Sequence, residues 1–167
     1  MLPDAPAGTI APRVAGAAEF SATLAWRSPE EVPEGPALCE PPGPARCRFT
    51  EADDPGPATR RLAGEIRALT RADLGAALGE VLRSLTRVAA LTEATLEVGA
   101  VRSVPPGVAS PRAVETLARQ LREAGLSVCF EASWAPAAQQ ADAYLGVGGN
   151  ESLLRDFLRS HPSWRLI

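Results

Sequence analysis

Three short runs of this sequence alternate apolar and polar residues with a period of two. Phe20, Ala22, Leu24 and Trp26 alternate with Ser21, Thr23, Ala25 and Arg27. Leu96, Val98 and Ala100 alternate with Thr95, Glu97 and Gly99. Leu126, Val128, Phe130 and Ala132 alternate with Ser127, Cys129, Glu131 and Ser133. That period belongs to strands with one face buried. Strands of a doubly wound parallel sheet are covered on both faces and read as continuous apolar runs instead. The alternation therefore predicts an α+β fold: a two-layer sandwich with helices packed on one face of a mostly half-buried sheet of about four to five strands.

The helices that would cover this sheet are marked by their ends. Residues 58–90 carry a helical pattern, with a first stripe at Leu62, Ile66 and Leu69. Thr70 then reads as an N-cap with Asp73 three residues on, ahead of Leu74, Leu78, Val81, Leu82, Leu85 and Val88 on one face. The pattern leaves open whether this is one helix or two. Ser110-Pro111 opens a further helix, with Val114, Leu117, Ala118 and Leu121 at helical spacing and Gly125 as its stop. Ala143, Leu145 and Val147 predict a short strand. The Gly146-Val-Gly-Gly149 run then turns the chain into Asn150, the N-cap of a last helix bearing Leu153, Leu154, Phe157 and Leu158. Cys47 and Phe49 alternate with Arg46, Arg48 and Thr50, as a partner strand to the first.

At 167 residues the chain is long enough for one domain with a core of its own. Residues 1–18, with prolines and small side chains, read as a flexible N-terminal tail. Residues 19–167 read as a single α+β domain, interrupted by a Pro-rich loop at 28–45 that is neither helix nor central strand.

Net charge is −3 and the pI about 5.3. That balance disfavours nucleic acid, whose binders draw affinity from clustered cations and counterion release. All 17 basic residues are arginines, so the chain is lysine-free, in keeping with a GC-rich genome. The three cysteines, Cys39, Cys47 and Cys129, are too few for a disulfide scaffold and fit a reducing compartment. There is no signal-peptide pattern and no long apolar run, which predicts a cytoplasmic protein without a membrane partner.

Candidate chemistry is sparse. The Gly146–Asn150 turn could present backbone N–H groups and a helix N-terminus to an anion, with Gly146, Gly148, Gly149 and Asn150 as the cradle and Arg112 or Arg155 in support. It has neither the P-loop ending nor the dinucleotide fingerprint, and a tight strand-to-helix connection using glycine for positive φ is the plainer explanation. His161, the single histidine, lies just past the last helix, where it would satisfy terminal carbonyls. Cys39 and Cys47 lack the spacing of a zinc site, and Cys129 would need an electropositive setting and a base to serve as a nucleophile. Asp53-Asp54 lie in a Pro/Gly turn. Arg60, Arg61, Arg67 and Arg71, with Arg112, Arg119 and Arg122, read as solvated helix faces, with an anion or acidic-partner site as the minor alternative.

Hydrolytic and acid–base chemistries lean on groups this chain largely lacks. The expectation is therefore a small non-catalytic cytoplasmic protein–protein interaction or adaptor module, or a complex subunit, with no cofactor and no metal. Its partner would be another protein or a second copy of the chain, met through Ser127, Cys129, Glu131, Trp134 and Trp164. The alternative expectation is a small α/β domain binding a nucleotide or phosphate at Gly146–Asn150.

Overall fold

The computed structural model describes residues 2–6, 9–33, 43–51, 56–135, 141, 143–148 and 151–162. Its strands are β1 (Leu2–Pro6), β2 (Thr9–Ala11), β3 (Arg13–Val14), β4 (Gly16–Ala25), β5 (Arg46–Glu51), β6 (Thr59–Ala68), β7 (Thr95–Val98), β8 (Arg102–Val104), β9 (Gly107–Val108), β10 (Cys129–Phe130) and β11 (Tyr144–Gly148). Its helices are α1 (Arg71–Leu91), α2 (Pro111–Glu123) and α3 (Glu151–Ser160). The fold is α+β, with a five-stranded sheet as its largest element. The chain divides into two compact units, one of residues Met1–Gly16 with Pro105–Ile167 and one of Ala17–Val104.

The Ala17–Val104 unit is a sheet in the order β5-β6-β4-β7, with β8 also pairing β4. Helix α1 carries the chain from β6 to β7 past the intervening β4, a split β-α-β crossover. Along β4 the expected alternation holds: Ala18, Phe20, Ala22 and Leu24 are buried, while Glu19 and Ser21 are exposed. These residues meet Leu62, Ile66 and Ala68 of β6 and Leu74, Ala77, Val81, Leu85 and Ala89 of α1 in one apolar cluster. The opposite face of the sheet is polar.

Two expectations fail here. Residues 59–68 are a strand and not the start of a helix. Leu62 and Ile66 stand four apart, which fits a helical turn and a strand face alike, and pairing with β5 decides for the strand. Residues 46–51 accordingly pair with β6, in register from Arg46 opposite Arg67 to Glu51 opposite Leu62, and not with β4. What remains of the helical segment is one uninterrupted helix, α1. Thr70 caps it, its Oγ1 accepting from the Asp73 N–H at 3.1 Å while its hydroxyl meets the Asp73 carboxylate at 2.6 Å.

Helices α1 and α2 end in the same motif. In each, the second residue past the cap returns a backbone bond to the third-last carbonyl of the helix: Ala94 to Ala89 at 2.9 Å, and Leu126 to Leu121 at 3.0 Å. This closure places the intervening residue in the left-handed region. At α2 that residue is Gly125 (φ 80°), as the sequence predicts; at α1 it is Glu93 (φ 53°), where a side chain is strained.

The other unit contains a four-stranded sheet in the order β1-β11-β2-β10 and the β3-β9 pair. Here residues 9–16 depart from the loose tail expected over 1–18. Thr9, Ile10 and Ala11 are essentially inaccessible, because β2 is covered on both faces. Ile10 packs with Leu117, Ala118 and Leu121 of α2 and Phe157 of α3. Ala11 packs the other way, with Val14, Ala109 and Tyr144. The strand expected at 126–132 shrinks to Cys129–Phe130, and Phe130 is exposed. Leu126 and Val128 still pack against the α2 cluster. Strand β11 and helix α3 lie where the sequence places them. Of the Pro-rich loop, residues 29–31 form a 3-10 turn, and 34–42 lie outside the described residues, as do Cys39 and Asp53-Asp54.

Replacing Glu93 by Gly should stabilise the chain by about 0.5–1 kcal/mol, and Gly125→Ala should destabilise it by about the same amount or more, in urea titrations. The same sign for both substitutions would refute the shared cap geometry.

Candidate functional site

The polar face of the Ala17–Val104 sheet, opposite α1, carries an open groove of about 760 Å³. Five charged residues line it: Glu19 from β4, Arg48 from β5, Glu65 and Arg67 from β6, and Arg102 from β8. They share a face because each sits at an alternate position of its strand. Ser21, Ala63 and Ala100 contribute only short side chains to the same groove, which leaves it open.

Strand register explains how the charges are distributed. Arg48 stands directly opposite Glu65 and Arg46 opposite Arg67. Glu65, however, is held within its own strand by Arg67, whose Nε and Nη2 donate to the two carboxylate oxygens at 2.8 and 2.9 Å. This two-toothed contact matches the planar fork of a guanidinium to a carboxylate. It leaves Arg48 without a salt bridge among the described residues. Glu19 stands opposite Arg102 in the β4–β8 register, yet no salt bridge joins them among the described residues. Three arginines against two glutamates (3 − 2) give the groove a charge of +1 in a chain whose net charge is −3. Such a surface can receive an anion through charge-assisted hydrogen bonds.

The residues singled out from sequence lie elsewhere. Gly146 and Gly148 are inside β11, paired with Leu2 and Pro6 of β1, so they are strand residues and not the turn itself. Gly149, Asn150 and Trp164 lie outside the described residues. Arg112 is exposed in the first turn of α2, and Arg155 is exposed in α3. Cys129 and Glu131 lie beside β2, where Cys129 pairs with Thr9 and the Glu131 N–H donates to the Ile10 carbonyl, while Ser127 is exposed in the segment before β10. The Cys129 Sγ is 3.1 Å from the Oγ1 of buried Thr9. Trp134 is half-buried. His161 does what its position implies: its Nδ1 meets the Phe157 carbonyl at 2.9 Å, and its ring stacks on that of Phe157 at 4.4 Å. Among the described residues no group of three or more His, Cys, Asp or Glu side chains converges to hold a metal ion, and no helix is long and apolar enough to cross a membrane.

Sequence reading missed the groove because Arg67 and Glu65 were assigned to a helix. The signal was present: Arg61, Ala63, Glu65 and Arg67 alternate with Leu62, Gly64, Ile66 and Ala68, a period of two over eight residues.

No protein-family model matches the sequence, and no match to a characterised protein sequence was found. The fold, by contrast, is shared with solved structures. Aminopeptidase PepT from Bacillus cereus superposes with a TM-score of 0.64 at 14% identity, over 86% of this chain and 47% of that one. A tripeptidase from Staphylococcus aureus gives 0.63 at 16%, over 87% and 47%. An amidase of the hydantoinase/carbamoylase family from Burkholderia multivorans gives 0.59 at 11%, over 81% and 41%. The chain thus spans less than half the length of each of these structures. These similarities overturn the expectation of a non-catalytic adaptor, and with it the assignment as no enzyme: the fold is one that peptidases and amidohydrolases use. The expectation rested on the scarcity of His and paired carboxylates in this sequence, and a fold shared over less than half of an enzyme need not carry all of its reactive groups.

Glu65→Gln should remove the carboxylate that occupies the Arg67 fork and raise the groove's charge by one. Acetate affinity, measured by NMR titration, should then rise several-fold with little loss of stability, since a half-exposed pair contributes about 0–1 kcal/mol. Weaker acetate binding would instead show that Glu65 itself holds the ligand.

Proposed function

We propose that this chain forms part of a hydrolase that cleaves amide C–N bonds, and that the groove on its Ala17–Val104 unit receives a carboxylate of the substrate. The observation that carries the reading is the fold, shared over most of this chain with a peptidase, a tripeptidase and an amidase. Peptides end in a carboxylate, and the arginine-rich groove has the charge and the hydrogen-bond donors to hold one.

Amide hydrolysis adds water across the C–N bond, the carbonyl carbon gaining oxygen and the nitrogen leaving with a proton. A group that grips the substrate's carboxylate away from that bond contributes by orienting it, which turns an encounter in solution into a reaction within one complex. In this reading the described residues supply recognition, and bond cleavage belongs to residues outside them. The site of action is the cytoplasm, a placement supported by the exposed thiol of Cys129.

The protein purified from its native cell should release amino acids from tripeptides, or cleave N-carbamoyl or other amide substrates, in a coupled chromatographic assay. Absence of hydrolysis across such a panel would overturn the assignment. If the groove holds the carboxylate, amidating the C-terminus of a cleaved tripeptide should lower kcat/KM by about tenfold or more, the loss of one charge-assisted contact.

A further inference from the structure

We infer that the groove is selective for substrates with two carboxylates, so that the preferred ligand is an acidic amino-acid derivative or a peptide ending in an acidic residue. The inference rests on the hydrolase reading above for calling the ligand a substrate, but the selectivity itself follows from this chain's own charges.

A single carboxylate needs one guanidinium. The groove presents three, and only one of them, Arg67, has its fork occupied by Glu65. Arg48 and Arg102 have no salt-bridge partner among the described residues, although each stands opposite a glutamate in its strand register. They also stand on opposite sides of the groove. Arg48 lies on β5 and Arg102 on β8, with β6 and β4 between them. Three interstrand steps of about 4.8 Å put their backbones roughly 14 Å apart.

Two flexible guanidinium side chains rising from strands on either side of such a span can bracket a small molecule from its two ends. The short side chains of Ser21, Ala63 and Ala100 leave room for its body. Glu19 adds the counterpart to this preference: it repels an anion bound at the middle of the face and accepts an N–H or an ammonium there. Acidic ends with a polar nitrogen between them are the features of an acylated or carbamoylated acidic amino acid and of an acidic peptide terminus.

The test is isothermal titration calorimetry of the 167-residue chain with glutarate and with butyrate, which share a carbon skeleton length close enough to isolate the second charge. Glutarate should bind about tenfold or more tightly than butyrate, and Arg48→Gln or Arg102→Gln should each remove that advantage. Circular dichroism should show both variants folded, since the two side chains are exposed. Equal affinity for the two acids, or a glutarate preference that survives both substitutions, would overturn the inference. The readout is binding alone. A glutarate preference without any amide hydrolysis would therefore sink the hydrolase reading and leave the selectivity standing, whereas hydrolysis without the preference would do the reverse.

Discussion

The ring of Phe20 lies across Gly64, where the two central strands of the Ala17–Val104 sheet approach each other, and a Cβ at residue 64 would overlap it. Phe49, opposite Gly64 on β5, closes the arrangement with an edge-on contact to Phe20 at 6.2 Å. One glycine thus allows a large aromatic to fill the core face of β4 without pushing β6 away. The neighbouring buried positions, Leu62 and Ile66 on β6 and Val81 and Leu85 on α1, pack into the same cluster. Cores at this density tolerate little added volume, because extra atoms force neighbours off their rotamers. The polar face depends on the same contact. Fixing β4 beside β6 is what sets Glu19 and Ser21 next to Glu65 and Arg67.

The groove is accordingly a property of the sheet and not of any one strand. Arg48, Arg67 and Arg102 are separated by 19 and 35 positions in the chain (67 − 48 and 102 − 67) and come from three strands. Within that face the internal Glu65–Arg67 contact decides which cations remain available. The likeness to peptidases and amidases gives this charged face a context. It covers most of this chain and less than half of those enzymes.

How much was legible from sequence varies with the range of the forces involved. Caps and stops were read correctly because they are local. Thr70 with Asp73, and Gly125 past α2, are decided within a few residues by hydrogen bonds to the nearest backbone. The alternation of β4 was read correctly because one covered face imposes it. Residues 59–68 were misread because their apolar positions satisfy two periods at once, and only pairing with β5 separates them. Residues 9–11 were misread for a different reason. Thr-Ile-Ala has no pattern of its own, and its burial is created by α2 on one side and Tyr144 on the other.

The α+β class, the cap of α1 at Thr70, the span of α2 with its stop at Gly125, and the half-buried character of β4 are written in the residues themselves, since propensity, capping and periodicity act over a single turn or strand. Tertiary structure decided the strand order, the burial of β2 and the meeting of Arg48, Arg67 and Arg102 on one face. Those depend on which strands share hydrogen-bond ladders. A ladder between distant segments is chosen by the packing of the whole core, and no single segment carries that information.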